Sequence, residues 1–147
     1  MLIRPATPAD IPAIMSLIAE APTAAQWPQE HYEQAIQNSY PRRVILVLVD
    51  KTILAFLVSR TVAEEWELEN IAVASNARRK GLGSALLKEF LKLAQNEKAR
   101  AVFLEVRESN NGARNFYEKF GFEKAGRRPD YYANPREDAI VYRCVFF

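Results

Sequence analysis

The sequence predicts an α/β domain with a central, mostly antiparallel sheet of about seven strands flanked by about four helices. Three observations predict it. Apolar residues make up 49% of the 147 residues, enough to bury one core. The β-prone run 44–49 is joined by Asp50-Lys51 to a second such run, 53–59, which is a hairpin signal. A strand at 67–74, an amphipathic helix at 81–96 and a strand at 101–106 then read as a β-α-β unit.

Residues 2–4 form a short first strand. Thr7 caps the first helix, with Pro8 at the first helical position and Asp10 three residues after the cap. Ile11, Ile14, Leu17 and Ile18 follow at helical spacing. The segment 22–28, bounded by prolines, breaks that helix, and a second covers 29–38. Pro41-Arg42-Arg43 leads into the sheet. In the helix at 81–96, Leu82, Leu86, Phe90 and Leu93 lie on one side, and Leu87, Leu91 and Ala94 widen the stripe. Val102, Leu104 and Val106 share one face of their strand. Ser109 or Asn110 caps a short helix through Lys119, and Gly121 ends it. Residues 122–125 and 139–146 close the sheet.

Composition narrows the function. A net charge of +2 is too small to argue for nucleic acid. The basic residues Arg78, Arg79 and Lys80 cluster, which fits a local anion site. A lone cysteine, Cys144, allows no internal disulfide and reads as a small buried hydrophobe. The lone His31 has no ligand-like neighbours, so no metal is expected. Neither a targeting segment nor a membrane-spanning run is visible, so a soluble cytoplasmic protein is expected.

Asn70-Ile71-Ala72-Val73 is followed by Arg78-Arg79-Lys80-Gly81-Leu82-Gly83. A strand, a basic loop and a helix start together suit a pyrophosphate, because free N–H groups at a helix N-terminus favour anions. Gly81 and Gly83 carry no Cβ to block the approach. The Lys precedes the Gly, so this is not a P-loop. Leu86 stands where a dinucleotide fingerprint needs a third glycine.

Four further features each admit a bland and a functional reading. Glu105, on an apolar strand, is either an outward residue, a partner of Arg107, or a working carboxylate. Tyr117 is a core aromatic or a proton donor. Asn110 is a helix cap or a cofactor contact. Tyr131-Tyr132, in a loop between Pro129 and Pro135, pack on themselves or line a peptide groove, and Trp27 raises the same question.

Taken together these motifs resemble the GNAT superfamily of N-acetyltransferases. Within it they resemble the RimI group, which acetylates the N-terminal alanine of a small-subunit ribosomal protein. The matching residues are Asn70 to Val73, Arg78 to Ser84, Leu104-Glu105-Val106-Arg107-Glu108-Ser109-Asn110, Phe116 to Phe122, and Tyr131-Tyr132 with Glu137-Asp138-Ala139. The likeness covers about two-thirds of the chain well, from Glu67 onward. It implies one GNAT-type domain over 1–147 and acetyl-CoA as co-substrate, without metal. Glu105 would be the general base and Tyr117 the general acid. Ile71, Ala72 and Val73 would hold the pantetheine arm. Arg78, Arg79, Lys80, Gly81, Leu82, Gly83 and Ser84 would hold the pyrophosphate, with Asn110 also on the cofactor. Trp27, Tyr131 and Tyr132 would shape a groove for the N-terminus of a protein, with no membrane and no direct nucleic-acid partner. Two departures stand out. Pro129-Asp130 replaces the polar pair usual before the tyrosines and leaves substrate choice open. Ser75-Asn76 stands where an Asp-Pro-type turn is common.

The residue types suit the reaction. A protein α-amino group, with a pKa of roughly 7.7–8.0, is partly neutral at pH 7, while a lysine at about 10.4 is roughly 3.4 kcal/mol harder to deprotonate. A carboxylate acting through water fits the lighter task, and a phenol can protonate the leaving thiolate. Main-chain N–H groups freed by splayed strands would polarise the thioester carbonyl. Two other readings stay open: acetylation of a different amine, on a small molecule or a lysine, and a non-catalytic acyl-CoA-binding module.

Overall fold

The computed structural model describes residues 1–38 and 40–146. In chain order the elements are β1 (Leu2–Pro5), α1 (Ile11–Ala19), α2 (Gln29–Gln37), β2 (Arg43–Asp50), β3 (Thr52–Val62), β4 (Glu65–Val73), α3 (Leu82–Asn96), β5 (Ala101–Arg107), α4 (Asn111–Lys119), β6 (Glu123–Tyr132) and β7 (Glu137–Val145). The seven strands form one sheet in the order β1-β2-β3-β4-β5-β7-β6. Every pairing is antiparallel except β4 with β5, where α3 makes the crossover.

Local chemistry sets each boundary. The start of the α1 segment is a 3-10 turn, Pro8–Asp10. The Thr7 N–H donates to Asp10 Oδ2 at 2.7 Å, and Arg4 grips the same carboxylate with two nitrogens. Asn110 caps α4, its Oδ1 accepting from the Ala113 N–H at 3.1 Å. Gly121, with φ +88, turns the chain after α4 in the left-handed region. The helical stripe of α3 is buried through Leu86, Leu87, Phe90 and Ala94.

A bulge in β4 positions the site. Val58 of β3 pairs with Asn70 and Ser59 with Leu68, so Glu69 is unpaired in the ladder. The extra residue inverts the side-chain alternation. Before it, Trp66 packs on Phe90 of α3. After it, Asn70 turns to the opposite face and meets Tyr32 of α2. Val73 returns to the α3 side, where a methyl added to Gly83 would lie 3.6 Å from it.

The loop expected around Tyr131 and Tyr132 is a strand. Tyr131 and Tyr132 end a ten-residue strand, β6, and do not lie in a loop. Pro129 and Asp130 fall where the register shifts between Arg128 and Tyr132, and Asp130 adopts φ +52. An edge strand tolerates a proline and such an irregularity because one side of its backbone needs no partner.

Candidate active site

The parallel pairing of β4 and β5 lasts only three residue pairs, Glu65 with Ala101 to Glu67 with Phe103. Beyond them the strands part. A cavity of about 820 Å³ fills the opening, with Leu68 to Ile71 on one wall and Leu104 to Arg107 on the other. A smaller chamber of about 480 Å³ continues from it toward α3. The two share Pro22, Thr23, Ala24, Ile71 and Phe116, so they form one channel.

The smaller chamber is lined by Ile71, Ala72, Val73, Arg78 and Gly83. Gly81, with φ +75, precedes α3, and no side chain caps that helix. The first intrahelical bond runs from the Ala85 N–H to the Gly81 carbonyl, which leaves the N–H groups of Leu82, Gly83 and Ser84 without helical acceptors. Arg79, at φ +65, shares the left-handed geometry, and such a loop with a helix N-terminus makes an anion-binding concavity. Arg79 and Lys80 are exposed, whereas the Leu82 side chain is buried in the core.

Arg78 has a second task that the sequence did not reveal. Its guanidinium donates to the carbonyls of Val73 (3.3 Å) and Glu20 (2.9 Å), tying the end of α1 to the end of β4. The Glu20 carboxylate in turn accepts from the Ser75 N–H (3.0 Å) and hydroxyl (2.8 Å), which hold it below its usual range. Ser75-Asn76, a departure from the family pattern, is thus anchored by another route.

The larger chamber brings together Glu105, Asn110, Tyr117 and Tyr132. The Glu105 side chain is 9% exposed and pairs with Arg128 of β6, Oε1 to Nε at 2.8 Å. The expected partner, Arg107, goes elsewhere: it donates to Glu137 (3.1 Å) and to the carbonyls of Ala133 and Pro135. Tyr117 is 8% exposed. Burial, and the neighbouring Tyr132, push its hydroxyl well above the ordinary phenol range, so it stays protonated at neutral pH. Interaction with the Glu105 carboxylate and burial push Tyr131 up to about 12.

Glu137 and Asp138 fasten the tyrosines to this site. Glu137 accepts from the Ser109 N–H at 2.6 Å as well as from Arg107, and these contacts lower its carboxyl. Asp138 accepts from the Asp130 N–H (2.8 Å) and from Arg127 (2.9 Å), with the same effect. Arg127 also pairs with Glu108. Arg107 lies over the Tyr132 ring, 4.4 Å from its centroid, and Tyr131 meets Tyr132 edge-on at 5.1 Å.

Trp27 is not brought to either chamber wall. It stacks on His31, ring centroids 3.9 Å apart, and Arg43 covers it at 5.5 Å. Arg43 also pairs with Glu69, at 2.9 Å. Two residues that the sequence did not mark for the site do reach the opening, and a third lies near it. Glu69 and Asn70 line it. Glu67 lies close enough to sense Glu69 and Glu105, which, with burial as the larger cause, raise its carboxyl against the pull of Arg60. The alternation Glu65-Trp66-Glu67-Leu68-Glu69 was the available signal for a polar strand face. Among the described residues no group of three His, Cys, Asp or Glu side chains is arranged for a metal, and no helix is long and apolar enough to cross a membrane.

This geometry can seat a pyrophosphate at one end and present a carboxylate and a protonated phenol at the other. Residues 11–122 match the model of the acetyltransferase (GNAT) family, and the chain belongs to that family. It is an acetyl-CoA-dependent N-acetyltransferase. It is 36% identical over 111 residues to the ribosomal protein bS18-alanine N-acetyltransferase of Haemophilus influenzae, covering 73% of this chain and 75% of that one. The crystal structure of the ribosomal-protein-S18-alanine N-acetyltransferase from Escherichia coli superposes with a TM-score of 0.83 at 30% identity, covering 98% and 92% of the two chains. Ard1 from Thermoplasma volcanium gives 0.87 at 28% identity, covering 99% and 97%.

Proposed function

We propose that this enzyme acetylates the N-terminal α-amino group of a protein, and that its acceptor is the N-terminal alanine of a small-subunit ribosomal protein. The parting of β4 from β5 after Glu67 and Phe103 carries this reading, because it opens a channel with an anion site at one end and Glu105 with Tyr117 at the other. The relatives from Haemophilus influenzae and Escherichia coli, both described as alanine N-acetyltransferases of that ribosomal protein, support the choice of acceptor.

Acetyl-CoA supplies an activated thioester. The N–H groups of Leu82, Gly83 and Ser84 bind its pyrophosphate, helped by Arg79 and Lys80, while Ile71 to Val73 align the arm along β4. Glu105 takes the proton of the attacking amine through a water, and Tyr117 donates a proton to the departing sulfur. A phenol raised by burial is a weaker acid than it is in water, but it is present wholly in the donor form. Tyr132, fixed by Arg107 and Glu137, lines the route by which a peptide N-terminus reaches Glu105, and Tyr131 packs edge-on beside it. Asn110 shapes the wall by capping α4.

The test is free-thiol release from acetyl-CoA with short peptides. Their first residue varies among Ala, Ser, Met and Gly, and one N-terminally blocked peptide carries an internal lysine. Turnover with the unblocked Ala peptide and none with the blocked one is expected. Turnover with the lysine peptide alone contradicts the proposal.

A further inference from the structure

Glu105 is covered from the solvent side by one cation carried on an edge strand. Arg128 is 57% exposed at its side chain, yet its Nε lies 2.8 Å from a Glu105 side chain that is only 9% exposed. The other arginines around the opening are engaged elsewhere: Arg60 with Glu67, Arg43 with Glu69, and Arg107 with Glu137. The remaining groups that face Glu105 are Glu67 from β4 and Tyr131 and Tyr132 from β6. Its cross-strand neighbour on β7 is the apolar Val141, and Tyr117 of α4 shares the chamber.

We propose that Arg128 is a positioning residue acting through Glu105: it balances the charge of that carboxylate so that the site admits an acceptor as the neutral amine and does not retain it as the ammonium ion. This inference rests on the role given to Glu105 above. An unbalanced carboxylate in a partly dry chamber attracts an ammonium ion strongly, and that complex cannot attack a thioester. With the guanidinium in place, an ammonium meets a site already neutralised, while a neutral amine is not penalised. An α-amine, near its pKa at neutral pH, loses little by this. Arg128 thereby keeps the deprotonation of a bound α-amine in the neutral range.

The experiment compares wild type, Arg128→Gln and Arg128→Lys on an unblocked Ala peptide across the neutral range. For Arg128→Gln, KM is expected to fall roughly tenfold below neutrality. The pH of half-maximal kcat should rise by about one unit, the equivalent of that tenfold change. The kcat/KM profile, which reports the free species, should keep its shape. Arg128→Lys keeps the charge and should behave as wild type. Calorimetry without acetyl-CoA, at about pH 6.5 where the α-amine is mostly charged, adds a readout independent of turnover. There Arg128→Gln should bind the Ala peptide roughly tenfold tighter, with no change for its N-acetylated form. Equal binding and superposing kcat profiles for wild type and Arg128→Gln would overturn the proposal, as would equal losses in both variants. If Arg128→Gln folds poorly, Arg128→Met removes the same charge and takes its place. Glu105→Gln separates the two readings: full activity there removes the base assignment, while an inactive Glu105→Gln beside an unaffected Arg128→Gln removes only the role of Arg128.

Discussion

The side-chain amide of Asn70 holds Ala25 at both its backbone groups. Its Oδ1 accepts from the Ala25 N–H at 3.3 Å, and its Nδ2 donates to the Ala25 carbonyl at 3.0 Å. A buried residue on β4 thus fixes the segment after α1, whose residues 22–24 line both chambers. Asn70 reaches that face only because the bulge at Glu69 turns it there.

Replacing Asn70 by Ala should therefore cost stability and shape together. It leaves Ala25 and the Tyr32 hydroxyl without their buried partner, which typically costs about 1–3 kcal/mol. Urea denaturation should show that loss. The KM for peptide and for acetyl-CoA should both rise, since one loop bounds both chambers.

Glu105→Gln and Tyr117→Phe should each lower kcat by about 10²- to 10⁴-fold, the usual span for a lost general base or acid. Neither change touches the start of α3, so acetyl-CoA binding followed by calorimetry should be unchanged.

The alkaline limb offers a separate check. An ordinary phenol loses its proton near pH 10, but burial raises Tyr117 above that, so its donor form persists there. The rate should rise as the substrate amine deprotonates, around pH 8, and then hold level without a Tyr117-dependent fall up to about pH 10. A decline that disappears in Tyr117→Phe would contradict this.

Gly81→Ala should raise the KM for acetyl-CoA several-fold. An added Cβ at Gly81 meets nothing within 4 Å, so the penalty is conformational: φ +75 costs a residue with a Cβ about 1–2 kcal/mol. Gly126→Ala is the control. That position is equally open but has no left-handed φ, and acetyl-CoA kinetics should be unaffected.

Asp10 links stability to pH. The Arg4 guanidinium, aided by Thr7, holds its carboxyl down to about 2. A lowered folded-state value means that its stabilising contribution is complete above the unfolded value of about 4 and is lost as pH falls toward 2. Asp10→Asn should cost about 1 kcal/mol at neutral pH, with the deficit shrinking in that acid window. Thermal melts at the two pH extremes measure it.

The strand-helix order, the hairpin of β2 and β3 and the loop before α3 were legible because each rests on local pattern: alternation, helical spacing and glycine position. β6 was legible only over its first residues, since Pro129-Asp130 carries a loop signature and the pairing of its later half depends on Asp138 across the hairpin. The bulge at Glu69 has no local signal: Leu68, Asn70 and Ala72 are all buried, so the alternation reads unbroken although the faces swap. The basic run announced an anion site, but not that Arg78 braces two carbonyls. The sequence also left Glu105 beside Arg107, two positions away on the same strand. Its partner in space is Arg128, which only the folding of β6 along β7 delivers. Trp27 was drawn toward the groove by its type, while stacking on His31 and Arg43 holds it away.

The central claim is that the opening between β4 and β5 transfers an acetyl group to a chain terminus. The most direct measurement uses one peptide that offers both a free N-terminal alanine and an internal lysine, incubated with enzyme and acetyl-CoA and sequenced by tandem mass spectrometry. The account predicts a single acetyl group on the alanine α-nitrogen, absent with Glu105→Gln. An acetyl group on the lysine, or one that forms equally with Glu105→Gln, would contradict it.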